Sequence, residues 1–321
     1  MSAWVRSFVI ALAAAAWLAP ASAQQYPSQD IRLICGYPAG SGADIIVRYY
    51  AQKLKDITGR TVLVENKVGA MGNLATEFAA RAKPDGHTIY LNGGGVIAAN
   101  MYMFKKPPVD ILKELQAVGG INKLSGMLVV RTDRPWQTLA DLTAYLKERG
   151  DKASYASTNP VALVTGEIYK AKAGLSTVQV SYKTGFDSAN DLQSGQIDYA
   201  MVDPVYGLAQ RREGRVRVLA MSSGERLESL PDIPTFTEQG IPMDMLGWWG
   251  GFVPAATPRA IVDQINVWFV QIQRMPETKA FFNSYGSDPF ILTPDQAQAR
   301  LIEDVKNWAD YVKIAKIEPQ G

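Results

Sequence analysis

Short strand-like runs that end in glycine-bearing loops and pass straight into helix-like segments constrain this chain more than any other feature. Ile31 to Cys35 reads as a buried strand and is followed by Gly36-Tyr37-Pro38-Ala39-Gly40-Ser41-Gly42-Ala43-Asp44. From Asp44 to Ile57 the apolar residues Ile45, Ile46, Tyr49, Leu54 and Ile57 recur near helical spacing, and Gly59 stands where a helix C-cap is expected. Thr61 to Glu65 is a second strand, whose loop Val68-Gly69-Ala70-Met71-Gly72-Asn73 opens an Ala-rich helix through Ala82. After the turn Lys83-Pro84-Asp85-Gly86, Thr88 to Leu91 is a third strand leading into Asn92-Gly93-Gly94-Gly95. Successive strand–loop–helix units predict an α/β fold with a mostly parallel sheet and helices on its faces.

The pattern resets after Ala117. Strands are expected at Met127 to Arg131, Ala153 to Ala156, Thr177 to Val180, Ile197 to Val202 and Val216 to Met221. Between them a helix capped by Thr138 runs through Leu146, and others span Leu163 to Ala173 and Phe186 to Ser194. From Trp248 onward, Gly250 to Pro254, a helix from Pro258 to about Arg274 and another from Pro294 to Val312 have no sheet of their own and are expected to return to the first unit. Two crossings, near 122–128 and 242–250, then make a hinge around a cleft. The expected lobes are 24–124 with 247–321, and 125–246.

The first residues carry an export signature: Arg6, an apolar run from Phe8 to Leu18, and the small residues Ala21-Ser22-Ala23, with cleavage expected after Ala23. That run is shorter than the roughly 20 residues a membrane span requires, so a periplasmic protein is expected. A single cysteine, Cys35, excludes an internal disulfide. A formal charge of +2 gives no electrostatic reason to bind nucleic acid.

Ligands of such sheets bind beyond the carboxyl ends of strands. The glycines of the first loop permit close backbone approach, and free N–H groups at the following helix start receive anions. Asp44 is expected at or near the N-cap, as a capping carboxylate or a ligand-side group. Two glycine loops at equivalent positions strengthen the reading. Asn92 to Gly95 is either a flexible turn or a third edge of the pocket. Ser157-Thr158-Asn159-Pro160, Tyr182-Lys183-Thr184-Gly185 and Asp203-Pro204 are the corresponding strand-end loops of the second unit, and Trp248-Trp249 reads as packing. Catalytic readings find little support. The single His87 has no ligand-spaced partners, no phosphate-binding glycine–lysine motif occurs, and Gly40-Ser41-Gly42 is not a dinucleotide fingerprint. No cofactor and no metal are expected.

The residues resemble the extracytoplasmic receptors of tripartite tricarboxylate transporters, the Bug proteins. Pro38 to Asp44 with Arg48 is similar to that family's Pro-Ala-Gly-Gly-x-x-Asp and following Arg, and Val64 to Asn73 to its Val-Glu-Asn-Arg-Pro-Gly-Ala-Gly-Gly-Asn. Further likenesses are Pro84 to Thr88, Tyr182 to Gly185, Leu230 to Thr235, and Trp249-Gly250 to Thr257-Pro258. The resemblance implies a two-lobed type II (Venus flytrap) binding protein, monomeric, that closes on a small carboxylate and delivers it to membrane permease subunits. It places the carboxylate grip at Ala39, Gly40, Ser41 and Asp44 with Gly69, Ala70 and Gly72, and the opposing contacts at Ser157, Thr158, Thr184 and Asp203. Tyr37, Met71 and Phe186 suggest an apolar middle, and Asn92 lines the third loop. Ser41, Val68 and Met71 replace a glycine, a proline and a glycine of the pattern, so both grips are bulkier here. An exported hydrolase using Asp44 and Asp203, and a receptor for a signalling partner, are the alternatives.

Overall fold

The structure, a computed structural model, describes residues 26–182 and 187–321. Its first sheet contains β1 (Ile31–Cys35), β2 (Val62–Asn66), β3 (Thr88–Gly93), β4 (Leu115–Ser125), β10 (Leu246–Pro254) and β11 (Ser287–Pro289), in the order β11-β4-β10-β3-β1-β2. The second contains β5 (Met127–Arg131), β6 (Ser154–Ser157), β7 (Val178–Ser181), β8 (Tyr199–Val202) and β9 (Val216–Met221), in the order β7-β6-β8-β5-β9. Helices α1 (Gly42–Thr58), α2 (Asn73–Ala80), α3 (Gly94–Met103), α4 (Ile111–Glu114), α9 (Arg259–Gln273), α10 (Pro276–Ser284) and α11 (Pro294–Ile314) belong with the first sheet. Helices α5 (Leu139–Arg149), α6 (Pro160–Ala173), α7 (Ala189–Ser194) and α8 (Pro204–Arg212) accompany the second.

Period-two alternation distributes each strand between two cores. Ile31, Leu33 and Cys35 point to a cluster with Val47, Tyr50 and Leu54 of α1 and Val262, Ile265 and Phe269 of α9. Ile34 points to the other face, where Ile97, Ala98 and Met103 of α3 meet Leu301, Val305 and Trp308 of α11. That second cluster runs on into residues of the second sheet, so the halves share a continuous apolar body.

Four expectations are corrected. The first sheet is mixed: β1 is parallel to β2 and β3, but β10 enters antiparallel between β3 and β4, and β11 adds antiparallel at the edge. The returning segment therefore lies within the first sheet and does not merely pack on it. Strand β4 escaped the sequence pattern because Gly119 and Gly120 interrupt it; a side chain at Gly120 would meet the Phe290 carbonyl oxygen at 2.1 Å. Asn92-Gly93 ends a strand and Gly94-Gly95 starts α3, so this stretch is no flexible turn. A side chain at Gly94 would strike the Trp248 ring at 2.3 Å, which is why glycine stands there.

The chain passes between sheets at Gly126 and again ahead of Leu246. Buried serines lace these passages together. Gly126 N–H donates to Ser222 Oγ at 3.1 Å, Ser223 N–H to Ser125 Oγ at 2.9 Å, and Met245 N–H to the Ser222 carbonyl at 2.7 Å. Hydroxyl partners satisfy backbone groups that no regular ladder reaches.

Candidate functional site

The loops after β1 and β2 emerge side by side, because their strands are parallel neighbours. In the first, Ser41 is the N-cap of α1 and its hydroxyl accepts the Asp44 N–H at 3.3 Å. Asp44 is thus not the cap; it sits in the first turn, buried, and reaches back along the loop. Its Oδ2 accepts from Gly40 N–H at 2.8 Å and Arg48 Nε at 2.7 Å, and its Oδ1 from Asn66 Nδ2 at 2.8 Å. The same Asn66 amide donates to the Tyr37 carbonyl at 2.9 Å, so the end of β2 clamps the first loop. Burial alone would push the Asp44 carboxyl up; the bonds from Arg48, Asn66 and Gly40 outweigh it and hold the carboxyl below the usual range. A carboxylate so engaged is a strut between the first loop, α1 and the end of β2.

At the start of α1 the N–H groups of Gly42 and Ala43 find no partner among the described residues. The second loop exposes its backbone differently. Gly69, Ala70, Met71 and Gly72 have φ of 143°, 47°, 54° and 92°, and their turn is closed by Gly72 N–H donating to the Gly69 carbonyl at 2.9 Å. Successive N–H groups in a turn can line one concavity that receives an anion. Those of Ala70 and Met71 also lack partners among the described residues. Left-handed backbone at Ala70 and Met71 stores strain, on the order of 1–2 kcal/mol each.

Beneath the loops lies a polar floor, in which Asn92 is joined by Tyr90 and Thr76, two residues the sequence did not single out. The Tyr90 hydroxyl pairs with Thr76 Oγ1 at 3.1 Å and with Asn92 Nδ2, and Asn92 Oδ1 accepts the Gly93 N–H at 2.7 Å. A side chain at Gly36 would lie 3.4 Å from Ala75 Cβ, 3.5 Å from the Tyr90 hydroxyl and 3.6 Å from Gly72 Cα, so the loops converge on this floor. Asn92 is fully buried with its amide committed to it. Tyr37 is half-buried, with its ring tilted on Trp249 at 5.8 Å. Trp248, on the opposite face of β10, donates from Nε1 to Asp304 at 2.6 Å in the core.

Across the cleft, β6 ends at Ser157, whose hydroxyl accepts from Gln179 Nε2 at 2.7 Å. Asn159 caps α6, accepting the Ala162 N–H at 2.8 Å. Between them Thr158 Oγ1 is buried without a partner among the described residues. Asp203 caps α8 by accepting the Tyr206 N–H at 3.0 Å; burial pushes its carboxyl up, against the pull of backbone N–H groups. It also faces Tyr37, whose hydroxyl is pushed up by burial first and by the neighbouring Tyr90, Cys35 and Asp203. A side chain at Gly42 would meet Val205 Cγ2 at 3.2 Å, so the first turns of α1 and α8 touch between the halves. Thr184 and Phe186 lie outside the described residues. No group of three or more metal-ligating side chains occurs among the described residues, and no helix of them is long and apolar enough to cross a membrane.

Comparison with known proteins bears on the family and the fold. The chain is 27% identical to protein BugT of Bordetella pertussis over 308 residues, 95% of this chain and 94% of BugT. It superposes on the periplasmic binding protein BugD with a TM-score of 0.80 at 27% identity, covering 92% of this chain and 100% of BugD. An R. palustris protein solved with adipate has the same fold, with a TM-score of 0.84 at 23% identity over 92% of this chain and 100% of its own. The architecture is thus the two-lobed one of periplasmic binding proteins. Residues 46–317 match the family described as tripartite tricarboxylate transporter family receptor, and the chain belongs to that family.

Proposed function

We propose that this receptor captures a small carboxylate in the periplasm by lobe closure and hands it to the membrane permease of a tripartite tricarboxylate transporter. The observation that carries the reading is the pair of N–H sets without partners among the described residues, Gly42 with Ala43 and Ala70 with Met71, at the ends of adjacent parallel strands. Backbone donors and a helix N-terminus suit a carboxylate without needing a cation. Residues 24–124 with 247–321 form the lobe that carries this grip, and 125–246 the lobe that closes, with Thr158 and Asp203 at its edge. Ligand contacts to both lobes favour the closed form, and the serine-laced passages are its hinge. A linear dicarboxylate is the leading class, since a neighbour of the same fold holds adipate; the Tyr37–Trp249 pair favours an aromatic carboxylate as the second.

The test is titration of the chain lacking residues 1–23 with adipate, succinate and benzoate, followed by tryptophan fluorescence and calorimetry. Saturable one-to-one binding of at least one is expected, together with ligand-dependent capture of permease subunits from membranes. Binding of none, or turnover of any, rejects the reading.

A further inference from the structure

We infer that Asn100 is the positioning residue of the second grip: it holds the left-handed Ala70–Met71 turn in the conformation that presents its N–H groups. This rests on the carboxylate-receptor reading above. Asn100 lies on α3, far along the chain from the loop, and is 3% exposed. Its Nδ2 donates to the Met71 carbonyl at 2.9 Å and to Asn73 Oδ1 at 3.0 Å, tying down the C-terminal end of the turn. Its Oδ1 has no partner among the described residues, so the side chain is buried for its donors alone.

Why the turn requires a tether follows from its residues. Ala70 and Met71 carry β-carbons at φ 47° and 54°, where L side chains crowd the backbone, and Met71 itself is 38% exposed and held by little else. The anchor, by contrast, is fixed. Helix α3 packs on α11 and also on α6 of the other half, and Ile97, Ala98 and Ala99 beside Asn100 are buried. A strained turn bonded to a rigid helix stays in place; cut loose, it relaxes to right-handed or extended backbone and its N–H groups turn away.

The experiment is a double-mutant cycle between Asn100→Ala and Met71→Gly. Affinity is measured for whichever of adipate, succinate or benzoate the wild type binds, with hydrogen exchange at residues 69–73. Asn100→Ala is expected to weaken binding about tenfold and to speed exchange across the turn. Adding Met71→Gly, which makes left-handed backbone permissible, should recover affinity to within about threefold of wild type. A purely structural asparagine would lower the melting temperature without that rescue. Unchanged affinity in Asn100→Ala, or weakened affinity that Met71→Gly fails to restore, overturns the inference. Should Asn100→Ala not fold, Asn100→Ser keeps a hydroxyl but cannot span both acceptors, and the same rescue is required of it. If the wild type binds no carboxylate the proposed function fails, while hydrogen exchange still decides whether Asn100 holds the turn.

Discussion

The two loops of the grip solve one problem by opposite means. The first, Tyr37 to Asp44, is held by side chains: the Ser41 hydroxyl, the Asp44 carboxylate, the Arg48 guanidinium and the Asn66 amide each bond to it, and of its residues only Gly40 has positive φ. The second, Gly69 to Gly72, has four positive-φ residues in a row and no side-chain bond of its own; it is closed by its backbone and tied from outside by the Asn100 amide at the Met71 carbonyl and the Thr76 hydroxyl at the Gly72 carbonyl. A loop fixed by side chains has a relaxed backbone and is sensitive to deletions. One fixed by backbone stores strain, and glycine relieves it.

The largest effect expected from that contrast is at Asp44. Asp44→Asn removes the charge from a buried carboxylate bonded by Arg48, Asn66 and Gly40, and is expected to destabilise by about 2–3 kcal/mol in urea unfolding. Because the folded carboxyl is held below the ordinary aspartate value of 3.8, its contribution is fully present above that value. It is lost as pH falls through the lower folded one. The acid limb of the wild-type stability profile should therefore be steeper than that of the variant. Asn66→Ala follows, at about 1–2 kcal/mol, since it cuts both bonds from the end of β2 to the first loop. Within Gly69 to Gly72 no side chain offers a hydrogen bond to delete, and the Asn100 amide reaches the loop by one bond, at the Met71 carbonyl; if Ala substitution at Asn73 matched these losses the contrast between loops would fail.

The same contrast explains what could be read from sequence. Helix α1 with its Gly59 cap, the position of β1 and the two glycine loops were legible because spacing, capping and turn chemistry are local. The role of Asp44 was half-legible: its type fits a helix start, but its partner Asn66 belongs to another strand. Strand β4 was hidden because its glycines answer to neighbours, Phe290 and Asn266, that come much later in the chain. Helix α3 was hidden by being apolar all round, without an amphipathic stripe. Asn100 was hidden with it. One polar residue in such a helix is the available signal, yet nothing local says which loop it holds.

Ser41 sharpens the comparison at smaller scale. Ser41→Ala should lose about 1 kcal/mol with the N-cap bond, whereas Ser41→Gly, which restores the glycine of the family pattern, should lose only about a few tenths. Any change in carboxylate selectivity of Ser41→Gly then reports pocket shape and not stability.

Met71→Gly is the one substitution expected to be favourable. Left-handed backbone disfavours Met71 by about 1–2 kcal/mol, and the extra freedom of glycine in the unfolded chain returns about 0.5–1 kcal/mol of that, leaving a gain near 0.5–1 kcal/mol. The half-exposed side chain sacrifices little packing. The gain should appear as a higher urea midpoint with an unchanged slope. A midpoint that falls instead would mean that Met71 packs over the turn strongly enough to fix it, and the second loop would then be held by side chains like the first.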